Sequence, residues 1–306
     1  MDILKDIVYI LIDGLDIGLM FALYALGVFI AFRVLDFADL TAEASIVLGN
    51  AIVVRLIIAG VNVPLAILIA TIGGFLAGII TGVLHTKLKI PSILSGIIVL
   101  TGLFPISLWI LGSANVSLSG DKTIYSYLSN LFSNPSLNSI LTTLIIVILV
   151  FLLLYWFFGT EVGVSLRATG DNQKMARAQG INTDSMIILG LAVANALIAL
   201  SGALIAQSEN NANLDMGRGT IVIGLAAIIL GEAIFGKRSF KNYLISVILG
   251  SLTFYIMNGV AIEIGINHNA LKLIQAILIT FILSIPIIKK YFQKRKTNEV
   301  LTNGKS

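Results

Sequence analysis

The side chains that make and break bonds in enzymes are few in this chain and are spaced for none of the usual arrangements. There are two histidines, His85 and His268, and no cysteine. No His-x-x-x-His pair is available for a metal. The apolar spans place the two histidines on opposite sides of a membrane, out of reach of a shared serine and aspartate. The lack of cysteine removes disulfides, thiolate metal sites and a cysteine nucleophile together. Nor is there a Gly-x-x-x-x-Gly-Lys-Ser/Thr loop to cradle nucleotide phosphates. The expectation is a chain that is no enzyme, holds no metal or cofactor and cannot hydrolyse ATP alone.

What remains is charge and backbone punctuation in unusual places. Asp36, Asp39, Thr41 and Glu43 open one apolar segment, and Asp215, Met216, Gly217, Arg218 and Gly219 open another. A charge at mid-bilayer costs at least about 2.5–3.5 kcal/mol on insertion scales, so each needs a partner, water or a use. Asp39 or Thr41 can cap a helix that starts inside the protein, with Glu43 favoured in its first turn by the helix dipole. Glu232 is expected to pair with Lys237 or Arg238, or to touch a partner. Asn50, Asn195 and Asn258 are mid-span amides of the kind that hydrogen-bond helix to helix. Gly73, Gly74 and Gly78 read as close helix packing. The polar segment 163–185 has the most structured pattern. Asp171 or Asn172 can cap a short helix, Met175, Ala176 and Gln179 share a face, Gly180 supplies a left-handed stop, and Thr183 or Asp184 caps the next span. Such a knob either transmits a partner's motion or merely reverses the chain in solvent.

The elements that must position these residues are set by composition. Of the 306 residues, 57% are hydrophobic and 12% charged, against about a quarter charged in a soluble domain. The mean hydropathy is +0.99. Lipid is therefore the main solvent, and apolar runs of roughly 18 or more residues span it as helices. Nine spans are expected, at about 14–32, 42–59, 64–84, 93–111, 139–158, 185–206, 218–236, 243–262 and 270–288, making one transmembrane domain over 1–306. Fifteen of the 20 Lys and Arg residues fall in the connections on one side and in the tail 289–306. The positive-inside rule makes that side cytoplasmic, with the amino terminus outside. The acidic start, with Asp2, Asp6, Asp13 and Asp16 around Lys5, is the reverse of a cleavable signal, so the first span is expected to be retained. The net charge of +4 is explained by the membrane, and nucleic acid is not an expected partner.

A weak internal repeat is visible. Ser45–Gly49 and Ala51 align with Thr220–Gly224 and Ala226; one residue out of register, Gly60 and Gly74 align with Gly236 and Gly250. The charge count runs the two segments in opposite directions, as in transporters built from inverted repeats.

The string Arg167-Ala168, Gly170, Asn172, Ala176, Gly180-Ile181 resembles the cytoplasmic coupling segment of the branched-chain amino acid and ribose type ABC permease family. The likeness continues through Ala25-Leu26-Gly27, the segment from Leu35 to Thr41, that from His85 to Pro91, and that from Met216 to Gly224. It is nearest the branch labelled tryptophan or tyrosine transport permeases. The resemblance implies an all-α, polytopic membrane fold with discontinuous second and seventh spans. It also implies a second permease copy, a pair of cytoplasmic ATPases that hold the ATP and magnesium, and an extracytoplasmic substrate-binding protein, in a prokaryotic cell membrane. It implies a coupling role for Arg167, Ala168, Gly170, Asp171, Asn172, Met175, Ala176, Gln179, Gly180 and Ile181. It further implies a translocation path near Asp39, Thr41, Glu43, Asn50, Asp215 and Arg218. An interfacial cap facing the cytoplasm is the other account of Asp39 to Glu43. Arg218 stands where that family often has an apolar residue, and is either a specificity element or a snorkelling anchor. Aromatic or other amino acid, sugar and nucleoside cargoes stay open, as does an ion- or proton-coupled transporter using Asp39, Glu43 or Asp215.

Overall fold

The computed structural model describes residues 2–118, 120, 122–127 and 135–263, with Leu273, Ile277, Thr280 and Ser284 singly. Its helices are α1 (Asp2–Phe29, running on as a π turn, Ile30–Val34), α2 (Ala42–Ile58), α3 (Val63–Thr86), α4 (Ser92–Leu111), α5 (Pro135–Gly159), α6 (Glu161–Asp171), α7 (Gln173–Ala178), α8 (Thr183–Ser208), α9 (Thr220–Phe235) and α10 (Phe240–Glu263). Two three-residue strands, β1 (Asn115–Ser117) and β2 (Asn211–Asn213), pair antiparallel with Val116 opposite Ala212.

Eight of the nine expected segments are helices, and six of these, within α1, α3, α4, α5, α8 and α10, are long and apolar enough to cross a membrane. The other two are shorter. α2 has 17 residues and α9 has 16, so α9 reaches about 24 Å at ~1.5 Å per residue against a hydrocarbon core of about 30 Å. The missing length of each is supplied by irregular chain: 36–41 before α2, and a 3-10 turn (Leu214–Gly217) before α9. The ninth expected span, 270–288, and the basic tail 289–306 lie outside the continuously described residues.

The helices form where periodicity and punctuation agree. Pro64 sits in the first turn of α3, where its missing N–H is no loss, and Gly112 ends α4 in a left-handed conformation. α1 and α8 are buried along most of their length, whereas α4 and α5 expose most of theirs. α8 packs on α1, α2 and α3; α10 runs along α1 and α9. Small residues allow the closest approaches: a Cβ on Gly74 would lie 2.3 Å from the Asn195 carbonyl oxygen, and one on Gly78 would lie 2.2 Å from that of Leu191. The expected packing role of these glycines is thus met between α3 and α8. Leu68 and Leu76 on α3, Ile93 on α4 and Leu149 and Leu152 on α5 stay exposed, as side chains solvated by lipid should.

Candidate functional site

A polar seam is buried where α2 begins. Asp39, 1% exposed, accepts hydrogen bonds from the Thr41 backbone N–H (2.9 Å) and from Asn195 Nδ2 on α8 (2.7 Å). Asn195 Oδ1 accepts in turn from Ser45 Oγ (2.6 Å), and the Thr41 and Thr81 hydroxyls are 2.7 Å apart. A carboxyl buried this deeply depends on such donors, because burial takes it away from bulk solvent. Neither Asp39 nor Thr41 caps α2 through its side chain, contrary to expectation. Their oxygens are taken by the turn and by neighbouring helices, so the seam pins the helix start from three sides. Glu43 does sit in the first turn.

Beside the seam a groove of about 340 Å³ opens between α2, α4 and the 3-10 turn, lined by Glu43, Val47, Leu100, Phe104 and Arg218. Glu43 Oε1 accepts from the Gly219 N–H at 3.0 Å, and Arg218 pairs with Asp215 at 3.1 Å. Gly217 lies so close to α2 that a Cβ there would be 2.1 Å from the Glu43 carbonyl oxygen. The two openings singled out in the sequence therefore meet in one groove. Of the six predicted residues there, Glu43 and Arg218 line it and Asp215 holds Arg218. Asp39, Thr41 and Asn50 are buried in packing, and Asn50 Nδ2 donates to Met216 Sδ at 2.7 Å.

The segment 159–184 contains two helices where one was expected. Thr160 caps α6 by accepting from the Gly163 N–H, and Asn172, not Asp171, caps α7 by accepting from the Met175 N–H at 3.0 Å. Gly180 ends α7 at φ +82°, as expected. The next helix is capped by Asn182 rather than by Thr183 or Asp184. Those two instead bind Arg177: Thr183 Oγ1 accepts from its Nε and Asp184 pairs with Nη2 at 3.1 Å. Ala176 is buried, while Met175 and Gln179 are exposed. Ile181 is half-buried, and its N–H donates to the Ala176 carbonyl. α6 seats against the π turn of α1 at Gly170, where a Cβ would be 1.8 Å from the Val34 carbonyl oxygen. Ala168 is half-buried nearby, and Arg167 turns its guanidinium over the Phe240 ring, 5.0 Å from the centroid. α7 is thus an exposed tip on a helix locked to α1.

Glu232, near the end of α9, pairs with Lys237 at 3.6 Å as expected, and more closely with Arg33 of the π turn at 2.9 Å; the Tyr243 hydroxyl also donates to it. Arg33 is 199 positions away in sequence, and no local pattern links the two. Among the described residues no group of three or more His, Asp and Glu side chains is placed to hold a metal ion.

Six helices long and apolar enough to cross a membrane, packed around a buried polar seam, define a multi-pass membrane protein. Residues 10–283 match the family described as branched-chain amino acid transport system / permease component, and the chain belongs to it. It is 37% identical over 262 residues, 86% of each chain, to the tyrosine transport system permease protein of Clostridioides difficile (strain R20291). It is 31% identical over 281 residues, 90% of this chain and 97% of the other, to the uncharacterized protein RP368 of Rickettsia prowazekii (strain Madrid E). To the galactofuranose transporter permease protein YtfT of Escherichia coli (strain K12) it is 27% identical over 256 residues, 81% and 71% of the two chains. No solved structure matches.

Proposed function

We propose that this chain is the permease subunit of an ABC importer that moves a small solute inward by alternating access, driven by ATPases on its cytoplasmic side. The family implies ATPase and binding-protein partners, and the observation that carries the mechanism is the exposed α7 tip on an α6 locked to α1 at Gly170. A push on α7 is delivered through α6 to the π turn, which Arg33 ties to the end of α9 through Glu232. Two short helices that begin in irregular chain, α2 and α9, meet at the groove, and small changes in their packing open or close it. Two permease copies would face each other across a shared path, ATP stays on the partner subunits, and a binding protein would dock on the outer loops near 112–138 and 207–219.

The pairing of α3 with α8 and of α10 with α1, together with α2 on α8 and α9 on α1, supports the inverted repeat: α1, α2 and α3 answer to α8, α9 and α10. An amino acid is the cargo best supported. One relative is named for tyrosine, and a groove presenting Glu43 and Arg218 beside Phe104 offers opposite charges to a zwitterion and an apolar wall to its side chain. The relative named for galactofuranose keeps a sugar as the alternative.

Uptake into vesicles carrying the full assembly tests this. Transport should persist when ion gradients are collapsed and stop without ATP; dependence on a gradient alone would make the chain a secondary transporter. Gly180→Pro should insert normally yet lose most uptake while ATP hydrolysis continues, because proline cannot adopt φ +82°.

A further inference from the structure

Arg167 stands between two cavities and shares the larger, of about 680 Å³, with Asp36 and Asp171. Among the described residues it makes no ion pair, and its Nε is buried with no hydrogen-bond partner. One face of the guanidinium lies over Phe240. The group also lines a cavity of about 410 Å³ at the junction of α5 and α6, with Tyr155, Trp156, Phe158 and Thr160, where it is the only charged lining residue. The Thr160 hydroxyl is already engaged, donating to the Phe157 carbonyl. The cavity wall continues into α5, whose Leu149, Leu152, Leu153 and Trp156 are 54, 57, 53 and 69% exposed. These positions recur at intervals of three and four, forming one exposed apolar stripe of a helix long and apolar enough to cross a membrane. Trp156 and Tyr155 at its end have the amphipathic rings that settle at headgroup level.

A guanidinium whose Nε lacks an acceptor, stacked on an aromatic ring and reached along an exposed apolar stripe, fits a phosphate on an acyl chain. We infer that this cavity is a binding site for the headgroup of an anionic phospholipid, with Arg167 holding the phosphate, Trp156 flanking it and an acyl chain lying along Leu149 and Leu152. An acidic side chain of a protein partner has the same charge. The exposed apolar stripe leading to the cavity, on a helix of membrane-spanning length that ends in Tyr155 and Trp156, favours lipid.

Trp156 itself reports on the site. The chain has two tryptophans; Trp109, near the end of α4, can be replaced by Phe. The single-tryptophan chain would be reconstituted in phosphatidylcholine vesicles holding a minor fraction of lipid brominated on its acyl chains, either phosphatidylglycerol or phosphatidylcholine. Brominated phosphatidylglycerol should quench Trp156 as if enriched about fivefold over bulk, the factor expected for one basic residue at a membrane surface. The excess should vanish in Arg167→Gln, survive largely in Arg167→Lys and be unaffected by soluble glycerol phosphate. A chain retaining only Trp109 should not distinguish the two lipids. Equal quenching of Trp156 by both lipids, or unchanged selectivity in Arg167→Gln, overturns the site. Relief by glycerol phosphate assigns it to a soluble phosphate and overturns the lipid. Equal quenching combined with ATPase binding that needs Arg167 gives the guanidinium to a protein partner and also overturns it.

Discussion

Asn195 carries more of the buried seam than any charged residue, because from α8 it donates to Asp39 in the irregular chain before α2 and accepts from Ser45 on α2. Replacing it with leucine removes both bonds and leaves a buried carboxyl short of a donor. Asn195→Leu should therefore destabilise by about 1–3 kcal/mol and lower the melting temperature in detergent, whereas Asn258→Leu, whose Oδ1 has no partner to lose, should change it little. Equal melting of the two variants would remove the seam as a structural clamp. For Asn195 the bonding between elements was legible from hydropathy, since a buried amide favours a partner; the Oδ1 atoms of Asn50 and Asn258 find none among the described residues. Which partners Asn195 finds was not legible. Asp39 and Thr41 read as caps from their types and order, but the capping geometry competes with acceptors and donors on α3 and α8 that are distant in sequence. The same holds for Glu232, whose nearer lysine was visible and whose closer arginine, Arg33, was not.

At the scale of elements, two contrasting glycine positions separate packing from mere permissiveness. Gly78 lies against the backbone of α8, so Gly78→Val forces the pair apart; overpacking of this kind costs about 1–3 kcal/mol and should cut the yield of folded protein in size-exclusion profiles. Gly102 on α4 has open space where a Cβ would go, so Gly102→Ala should fold at wild-type yield. The short α7 offers a different test. Asn172→Ala loses the cap to Met175, worth about 0.5–2 kcal/mol, on a helix of six residues otherwise held by buried Ala176 and by the bonds of Arg177 to Thr183 and Asp184. The expected result is intact membrane insertion, faster amide exchange confined to 173–179, and ATP hydrolysis with reduced uptake. Spans and the short helices were readable from the sequence because hydrocarbon enforces helix length and glycine marks its ends. The extra helix α6 was not, because its polar residues follow the pattern of a loop and its stability comes from seating on α1 at Gly170.

For the whole molecule, the arrangement that everything else presumes is which side of the membrane α7 occupies. The positive-inside expectation puts α7 in the cytoplasm by a count of fifteen of the 20 basic residues, six of them in the tail 289–306, while six described helices are long and apolar enough to cross. The absence of cysteine makes the matter directly measurable, since any thiol introduced is the only one present. Lys174 on α7 and Tyr127 in the connection between α4 and α5 are both exposed. On intact cells a membrane-impermeant maleimide should label Tyr127→Cys and spare Lys174→Cys, and after permeabilisation both should react. The reverse pattern would put the helical tip outside, beyond reach of any nucleotide-hydrolysing subunit. Labelling of both in intact cells would mean that α5 does not cross the bilayer at all.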